Sequence, residues 1–125
     1  MKKAFIVLSC AVLALSCQKD KLSKQVFWMT NAKASALNEE GIEHVIIVWD
    51  TKNGQTSQRL STASGYDSAP ECGADNAVTF DINLRKYSGE YEFQIRSIDT
   101  VSIYVNVDAE GCFDHQIYAT ESILQ

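Results

Sequence analysis

The side chains best suited to chemistry in this chain of 125 residues are four cysteines and two histidines. A thiolate beside an imidazole can act as a nucleophile, and both side chains are common ligands of zinc. The cysteines stand far apart, at positions 10, 17, 72 and 112, and no Cys-x-x-Cys pair occurs. His44 and His115 lie in different halves of the chain. This spacing gives little support to a metal site. Whether the cysteines are free thiols or form a disulfide then depends on the compartment in which the protein resides.

The start of the chain indicates export from the cytoplasm. Two lysines at positions 2 and 3 precede an apolar run over 4–15, which is too short for a membrane-spanning helix of about 20 residues. The sequence ALSC that ends at Cys17 resembles the bacterial lipobox, whose cysteine receives a diacylglyceryl group before the signal peptide is removed. The resemblance implies a cleaved lipoprotein signal peptide over 1–16 and a mature chain that begins at lipidated Cys17. An ordinary cysteine behind a plain signal peptide is the alternative.

A lipidated Cys17 would be a durable membrane anchor, since it carries two or three acyl chains such as palmitate and one chain alone holds only weakly. The sequence QKDK at 18–21 resembles the signal that exports Bacteroidetes lipoproteins to the cell surface; solvated linker charges are the alternative. We therefore predict a lipid-anchored protein of the cell envelope, in the outer membrane and exposed at the surface. Residues 17–24 form the lipidated cysteine and linker, and residues 25–125 form one domain.

The mature chain is acidic and contains one pair of cysteines besides the anchor. Residues 17–125 carry 9 basic and 16 acidic side chains, a formal charge of −7, and no Lys/Arg cluster, which argues against a nucleic-acid partner. In an oxidising compartment, Cys72 and Cys112 predict one disulfide. It would close a loop of about 40 residues and contribute roughly 4 kcal/mol on the chain-entropy model. A two-cysteine metal site and free thiols are the alternatives.

Apolar residues recur with a period of two, which predicts β-strands. The clearest examples, 78–84, 90–96 and 101–107, are joined by short links and predict a meander. The run over 45–49 is apolar on both faces, as in a central strand, and Asn53-Gly54 predicts a hairpin turn into a polar edge strand over 55–61. Two further strands are predicted over 25–30 and 112–119, one or two helical turns over 32–40, and a loop over 65–76.

Seven short strands in about 95 residues predict an all-β fold, an antiparallel β-sandwich with one disulfide. The order of APECGA at 69–74, VTF at 78–80, GEY at 89–91 and GC at 111–112 adds a family likeness. It resembles small β-sandwich modules of Bacteroidetes cell-envelope proteins, similar in outline to carboxypeptidase-regulatory-like domains. The resemblance covers about 25–119 and implies a fold and a location, but no assigned activity.

Aromatic side chains are the best candidates for a binding surface. Tyr104 lies on the polar face of its strand by alternation, and Tyr118 shares a face with Asp114 and Gln116. With Trp49, or with Trp28, they could form a platform for sugar rings or for a protein partner. The alternative is that both faces of these strands are covered and the rings belong to the core.

Catalytic and metal-binding constellations receive little support. The chain has no Gly-x-Ser-x-Gly elbow and no glycine loop for phosphate, and a disulfide would occupy the thiols that could act as nucleophiles. A zinc site from the two histidines, or a calcium site from the acidic residues at 67, 71 and 75, is less favoured than a surface role, so we predict no metal and no cofactor.

The sequence thus predicts a non-catalytic, lipid-anchored module for protein interaction or scaffolding. Two other functions stay open. One is a carbohydrate-binding accessory at the cell surface, and the other is an inhibitor of lysozyme or of a peptidase.

The first prediction concerns the anchor. Substitution Cys17→Ala removes the thiol that accepts the diacylglyceryl group, so metabolic labelling of the protein with a radioactive fatty acid should fall to background. The same measurement on Cys10→Ala, the other cysteine of the leader, should give full labelling. Undiminished labelling of the Cys17→Ala protein would show that lipid is not attached there.

Overall fold

The computed structural model describes residues 21–51, 53–97 and 99–118. The predicted signal peptide, Cys17 and the linker up to residue 20 lie outside the described residues. In chain order, the elements are β1 (Leu22–Trp28), α1 (Asn31–Glu39), β2 (His44–Thr51), β3 (Gly54–Ser61), β4 (Val78–Asn83), β5 (Gly89–Arg96), β6 (Thr100–Val107) and β7 (Gly111–Gln116).

The seven strands form two sheets in a sandwich, which confirms the predicted fold class. One sheet has three strands in the order β4-β1-β7, and the other has four in the order β3-β2-β5-β6. Four of the five strand pairs are antiparallel, whereas β1 and β7 run parallel. β1 pairs with both β4 and β7 and is the central strand of the smaller sheet.

The predicted meander over β4, β5 and β6 is wrong for β4. β5 and β6 do form an antiparallel hairpin, but β4 pairs with β1 in the opposite sheet. The apolar faces of β4 and β5 both point into the core, one from each sheet, and the link at 84–88 connects the two layers. Alternation shows that a strand has one buried face, but both sheets of a sandwich satisfy that pattern equally well.

The short helix and the strand boundaries follow local sequence signals. The hydroxyl of Thr30 caps α1 by accepting a hydrogen bond from the Lys33 N–H at 3.1 Å. The helix ends at Glu39; Gly41 follows with a φ of +84°, which suits glycine, and the N–H of Ile42 donates to the Leu37 carbonyl at 3.0 Å. The predicted helix is confirmed. β1 begins at Leu22, three residues before the strand that the sequence predicts.

The hairpin between β2 and β3 is also confirmed, with a turn that is shifted by one residue. Thr51 pairs with Gly54, so Gly54 opens β3 and does not lie within the turn. The Thr51 hydroxyl donates to the Gly54 carbonyl at 2.6 Å. β3 lies at the sheet edge and exposes nearly all its side chains, as its polar sequence predicts.

The core lies between the two sheets and is rich in aromatic rings. Phe27 of β1 packs against Phe80 of β4 and Phe93 of β5, with centroid distances of 5.8 and 5.1 Å. Trp49 of β2 stacks nearly parallel to Phe93 at 6.3 Å. α1 adds Ala34 and Leu37 to the same cluster. Rings from both sheets therefore meet at the centre of the sandwich, where each buries a large apolar area.

The loop over 62–77 covers the outer face of β1. Val26 and Trp28 point away from the core by alternation, yet they are 0% and 5% exposed. The loop is fastened over this face by the predicted disulfide between Cys72 and Cys112, which the structure confirms. Additional bonds run from the Gly73 N–H to the Thr79 hydroxyl at 2.8 Å and from the Tyr66 N–H to the Met29 carbonyl at 3.0 Å. β1 is consequently covered on both faces.

Gly65 marks the closest approach between this loop and β1. A Cβ atom at this position would overlap the backbone carbonyl oxygens of Met29 and Thr30. The Gly65 N–H donates to the Asn31 side chain at 3.0 Å, so the loop cannot move away without breaking that bond. Glycine is thus required here for lack of space.

The second prediction tests this contact. We expect Gly65→Ala to lower the free energy of unfolding by about 1–3 kcal/mol, because the added methyl group forces the backbone apart. Ser68→Ala, at an exposed position of the same loop, should change it by less than about 0.5 kcal/mol. Urea unfolding of both variants measures the difference, and equal stabilities would contradict the close contact.

Candidate interaction site

Trp49 is not part of an exposed binding surface, so that prediction is wrong. Its side chain is 8% exposed and contacts the rings of Tyr87 and Tyr91 at centroid distances of 5.3 and 5.7 Å. The run 45–49 is apolar at every position, so periodicity could not show which residues face inward. The indole N–H of Trp49 is buried without a hydrogen-bond partner among the described residues, which costs about 1–3 kcal/mol.

Tyr104 and Tyr118 are exposed but do not share a surface. Tyr104 is 66% exposed on the outer face of the four-stranded sheet, beside Ser102 and Glu92, which bond to each other at 2.6 Å. Tyr118 is 54% exposed and follows β7 at the edge of the other sheet. Trp28 is buried, and its indole N–H donates to the Asp114 carboxylate at 3.1 Å. The structure therefore does not assemble the three-ring platform.

The two candidate cysteines form a disulfide, and the two candidate histidines lie in different sheets. The disulfide occupies both sulfurs of Cys72 and Cys112, so neither is a nucleophile while it is intact. His44 is exposed at the start of β2, whereas His115 lies half-buried on β7 in the other sheet. Within the described ranges, no group of three His, Cys, Asp or Glu side chains could hold a metal ion.

An apolar cleft of about 170 Å³ lies between β6 and β7, where both sheets end. Each of these strands is the last of its sheet, so its outer backbone edge has no strand partner within the described part of the chain. The N–H of Ile117 donates to the Trp28 carbonyl at 2.8 Å, which holds the chain after β7 against the cleft. The residues that line it are Phe27, Ile95, Val101, Ile103, Gln116, Ile117 and Tyr118.

Most of this lining is hydrocarbon. Val101 and Ile103 of β6 are only half-buried, although they point toward the core like the buried Phe93 and Ile95 beside them. The Tyr118 hydroxyl donates to the Gln116 side-chain oxygen at 2.9 Å, so the two polar side chains at the cleft bond to each other. The cleft is therefore an extension of the core that reaches the surface.

A buried polar chain lies behind the cleft. His115 Nε2 donates to the Gln25 side-chain oxygen at 2.6 Å, and the Gln25 amide donates to the Ser23 hydroxyl at 2.7 Å. The oxygen of Gln25 can only accept, which places the imidazole proton on Nε2. The ring stacks on Phe27 at 4.8 Å, on a side chain that also lines the cleft. Burial lowers the pKa of His115, and the nearby charge of Asp114 opposes this effect.

Sequence reasoning did not identify the cleft. Val101, Ile103 and Ile117 fit the ordinary pattern of a core, and nothing in their spacing shows that the opposite sheet leaves them uncovered. One signal in the sequence could have indicated the cleft, namely that the two edge strands of the larger sheet differ in polarity. β3 is polar, as an exposed edge strand usually is, whereas β6 is an edge strand with apolar side chains on one face.

We found no match to this chain among protein-family models, curated proteins or solved structures. Among the residues that the structure describes, no helix is long and apolar enough to cross a membrane.

The third prediction concerns the pH dependence of stability. Because burial favours neutral His115, the unfolded chain binds this proton at a higher pH than the folded protein does. The free energy of unfolding should therefore be unaffected by this group at pH 8. It should fall as the pH drops below about 6.5, with a slope of at most about 1.4 kcal/mol per pH unit.

Urea unfolding between about pH 8 and pH 5 measures this slope. His115→Gln should remove the part of it that begins near pH 6.5. His44→Gln, at an exposed position, should retain it. A slope that is the same in the wild type and in His115→Gln would rule out the buried imidazole as its source.

Proposed function

We propose that the protein is a lipid-anchored module of the cell envelope that binds an extended segment of a partner protein at the cleft between β6 and β7. The observation that carries this proposal is the position of the cleft, which lies between the edges of two sheets that have no strand partner among the described residues. Its role is interaction or scaffolding, without a reaction of its own.

An extended peptide suits this site for two reasons. The edge of β6, which no other described strand pairs with, can form a ladder of hydrogen bonds with an added strand, and such bonds supply affinity without regard to sequence. Alternate side chains of that strand would point toward the apolar cleft beneath Val101 and Ile103, which supplies specificity. Burial of apolar surface on both sides would then favour association.

A sugar fits the cleft less well. Carbohydrate hydroxyls need several convergent polar groups, whereas Gln116 is the one polar side chain of the lining besides Tyr118, and these two already bond to each other. The rings proposed for stacking are either buried or on different faces. We therefore place carbohydrate binding second and inhibition of an enzyme third.

The proposed anchor is supported by the lipobox-like sequence that ends at Cys17 and by the cysteine pair of the domain. A disulfide is typical of proteins outside the cytoplasm, which agrees with an export signal. The resemblance to Bacteroidetes envelope modules supports the outer membrane, with exposure at the cell surface, as the location.

The fourth prediction compares neighbouring residues that lie on opposite faces of β6. Ile103→Lys puts a charge into the apolar cleft, whereas Tyr104→Lys puts the same charge on the outer face. We expect cross-linking of the lipidated protein in its native envelope, quantified by mass spectrometry, to yield a partner peptide. Its amount should fall about tenfold or more with Ile103→Lys and remain unchanged with Tyr104→Lys.

Thermal melting of both variants serves as the control for folding, since Ile103 is half-buried and a lysine there can extend to solvent. Equal loss or equal retention of the cross-link in the two folded variants would contradict a partner at the cleft. Binding to a glycan array that depends on Tyr104 would favour the carbohydrate function instead.

A further inference from the structure

The disulfide between Cys72 and Cys112 lies at the surface of the domain, and its two halves differ in accessibility. Cys112 is exposed near the start of β7, whereas Cys72, in the loop that covers β1, is half-buried. The Sγ atom of Cys72 lies 3.5 Å from the Lys24 carbonyl oxygen, so the backbone of β1 covers one side of this sulfur. A thiolate from solution therefore reaches Cys112 more easily than Cys72.

A groove of about 400 Å³ opens beside Cys112. The residues that line it are Leu22, Lys24, Glu110, Gly111 and Cys112. Gly111 has no side chain, so the backbone of β7 is bare next to the exposed sulfur. No described strand pairs with this edge of β7. A segment of another protein can therefore lie along the edge and reach the Cys112 Sγ.

The disulfide is the covalent tie between β7 and the loop that covers β1. Other bonds attach the loop elsewhere. The Tyr66 N–H donates to the Met29 carbonyl just after β1, and the Gly73 N–H donates to the Thr79 hydroxyl of β4. Cleavage of the disulfide consequently releases the loop from β7 while these bonds to the other two strands remain.

We propose that Cys112 is a site of thiol–disulfide exchange with a dithiol protein, and that the tie between the loop and β7 is reversible for this reason. Exposed disulfides are, as a class, more easily reduced than enclosed structural ones. The groove adds a place where the attacking protein can bind. This site is distinct from the cleft between β6 and β7, so the inference does not depend on the proposed function.

The exchange takes place in two steps. A thiolate of the dithiol protein attacks the Cys112 Sγ and forms a mixed disulfide, and the electron pair of the broken S–S bond leaves on Cys72, which takes a proton from water. The second thiolate of the dithiol protein then attacks that protein's own sulfur in the mixed disulfide and releases Cys112 as a thiolate. The dithiol protein is oxidised to a disulfide, and both cysteines of the domain are reduced.

Charges around the disulfide favour a protein over a small anionic thiol. Glu110 lines the groove, and Glu71 is exposed in the loop directly beside the disulfide. Lys24 also lines the groove, but Asp81 is its exposed neighbour on β4 and opposes its charge. An anionic thiol such as glutathione is therefore repelled. A protein that binds along the edge of β7 holds its thiolate at the exposed sulfur in spite of this repulsion.

Trapping of the mixed disulfide tests the site of attack. The mature full-length protein in detergent is mixed with thioredoxin whose resolving cysteine is replaced by serine, a variant that cannot carry out the second step. The reaction is stopped early with acid, and peptide mapping by mass spectrometry locates the bond. We expect about tenfold more thioredoxin on Cys112 than on Cys72, because access controls which sulfur is attacked. Equal amounts on the two cysteines, or no adduct, would overturn the proposal.

A matched pair of variants tests entry through the groove. Glu110→Gln removes a carboxylate from the lining and should speed reduction by glutathione roughly two- to fivefold, the size expected for one exposed charge interaction. Glu39→Gln, at the exposed end of α1, should leave the rate unchanged. Equal rates in the two variants would contradict this route of entry.

The dependence on urea distinguishes attack on the folded protein from attack on unfolded chains. The rate of thioredoxin adduct formation should stay constant up to about 1 M urea, because Cys112 is already exposed in the folded state. A rate that rises in proportion to the unfolded fraction would show that the disulfide is reached only after unfolding, and would overturn the exchange site.

Discussion

The side chain of Phe27 on β1 contacts aromatic rings from both sheets. Its ring packs at an edge against Phe80 in its own sheet and is tilted against Phe93 in the opposite sheet, while its other neighbour is the imidazole of His115. The same ring lines the cleft between β6 and β7. Packing of this kind contributes through buried area and through the preferred geometry of ring pairs. Phe27 therefore belongs to the core, lines the cleft and stacks on His115 of the buried polar chain.

Val26 and Trp28 on the outer face of β1 are buried, although no third sheet among the described residues covers them. The loop at 62–77 provides the cover, and the disulfide to Cys112 holds it there. A domain of this size has a small core, so a covalent link across its surface supports a large share of its stability.

The two long sides of the sandwich differ in chemistry. On one side, the polar strand β3 lies next to β4, and the Gln58 amide donates to the Thr79 carbonyl at 3.1 Å. On the other side, β6 and β7 leave an apolar cleft between edges that no further strand pairs with in the part of the chain that the structure describes. Exposed apolar edges promote unwanted association, and proteins usually block them with polar residues or cover them. This contrast is the reason for placing a partner at β6 and β7 and not at β3.

The amino-acid sequence by itself determined the local features: seven strands, a short helix, a polar edge strand and the pairing of Cys72 with Cys112. Each of these depends on neighbouring residues or on simple counting. The tertiary structure alone decided that β4 joins β1, that Trp49 is buried, and that Tyr104 and Tyr118 lie on different faces. It also decided that Val101 and Ile103 are left half-covered. The physical reason is that alternation specifies which face of a strand is apolar, whereas contacts between residues distant in sequence determine what lies opposite that face.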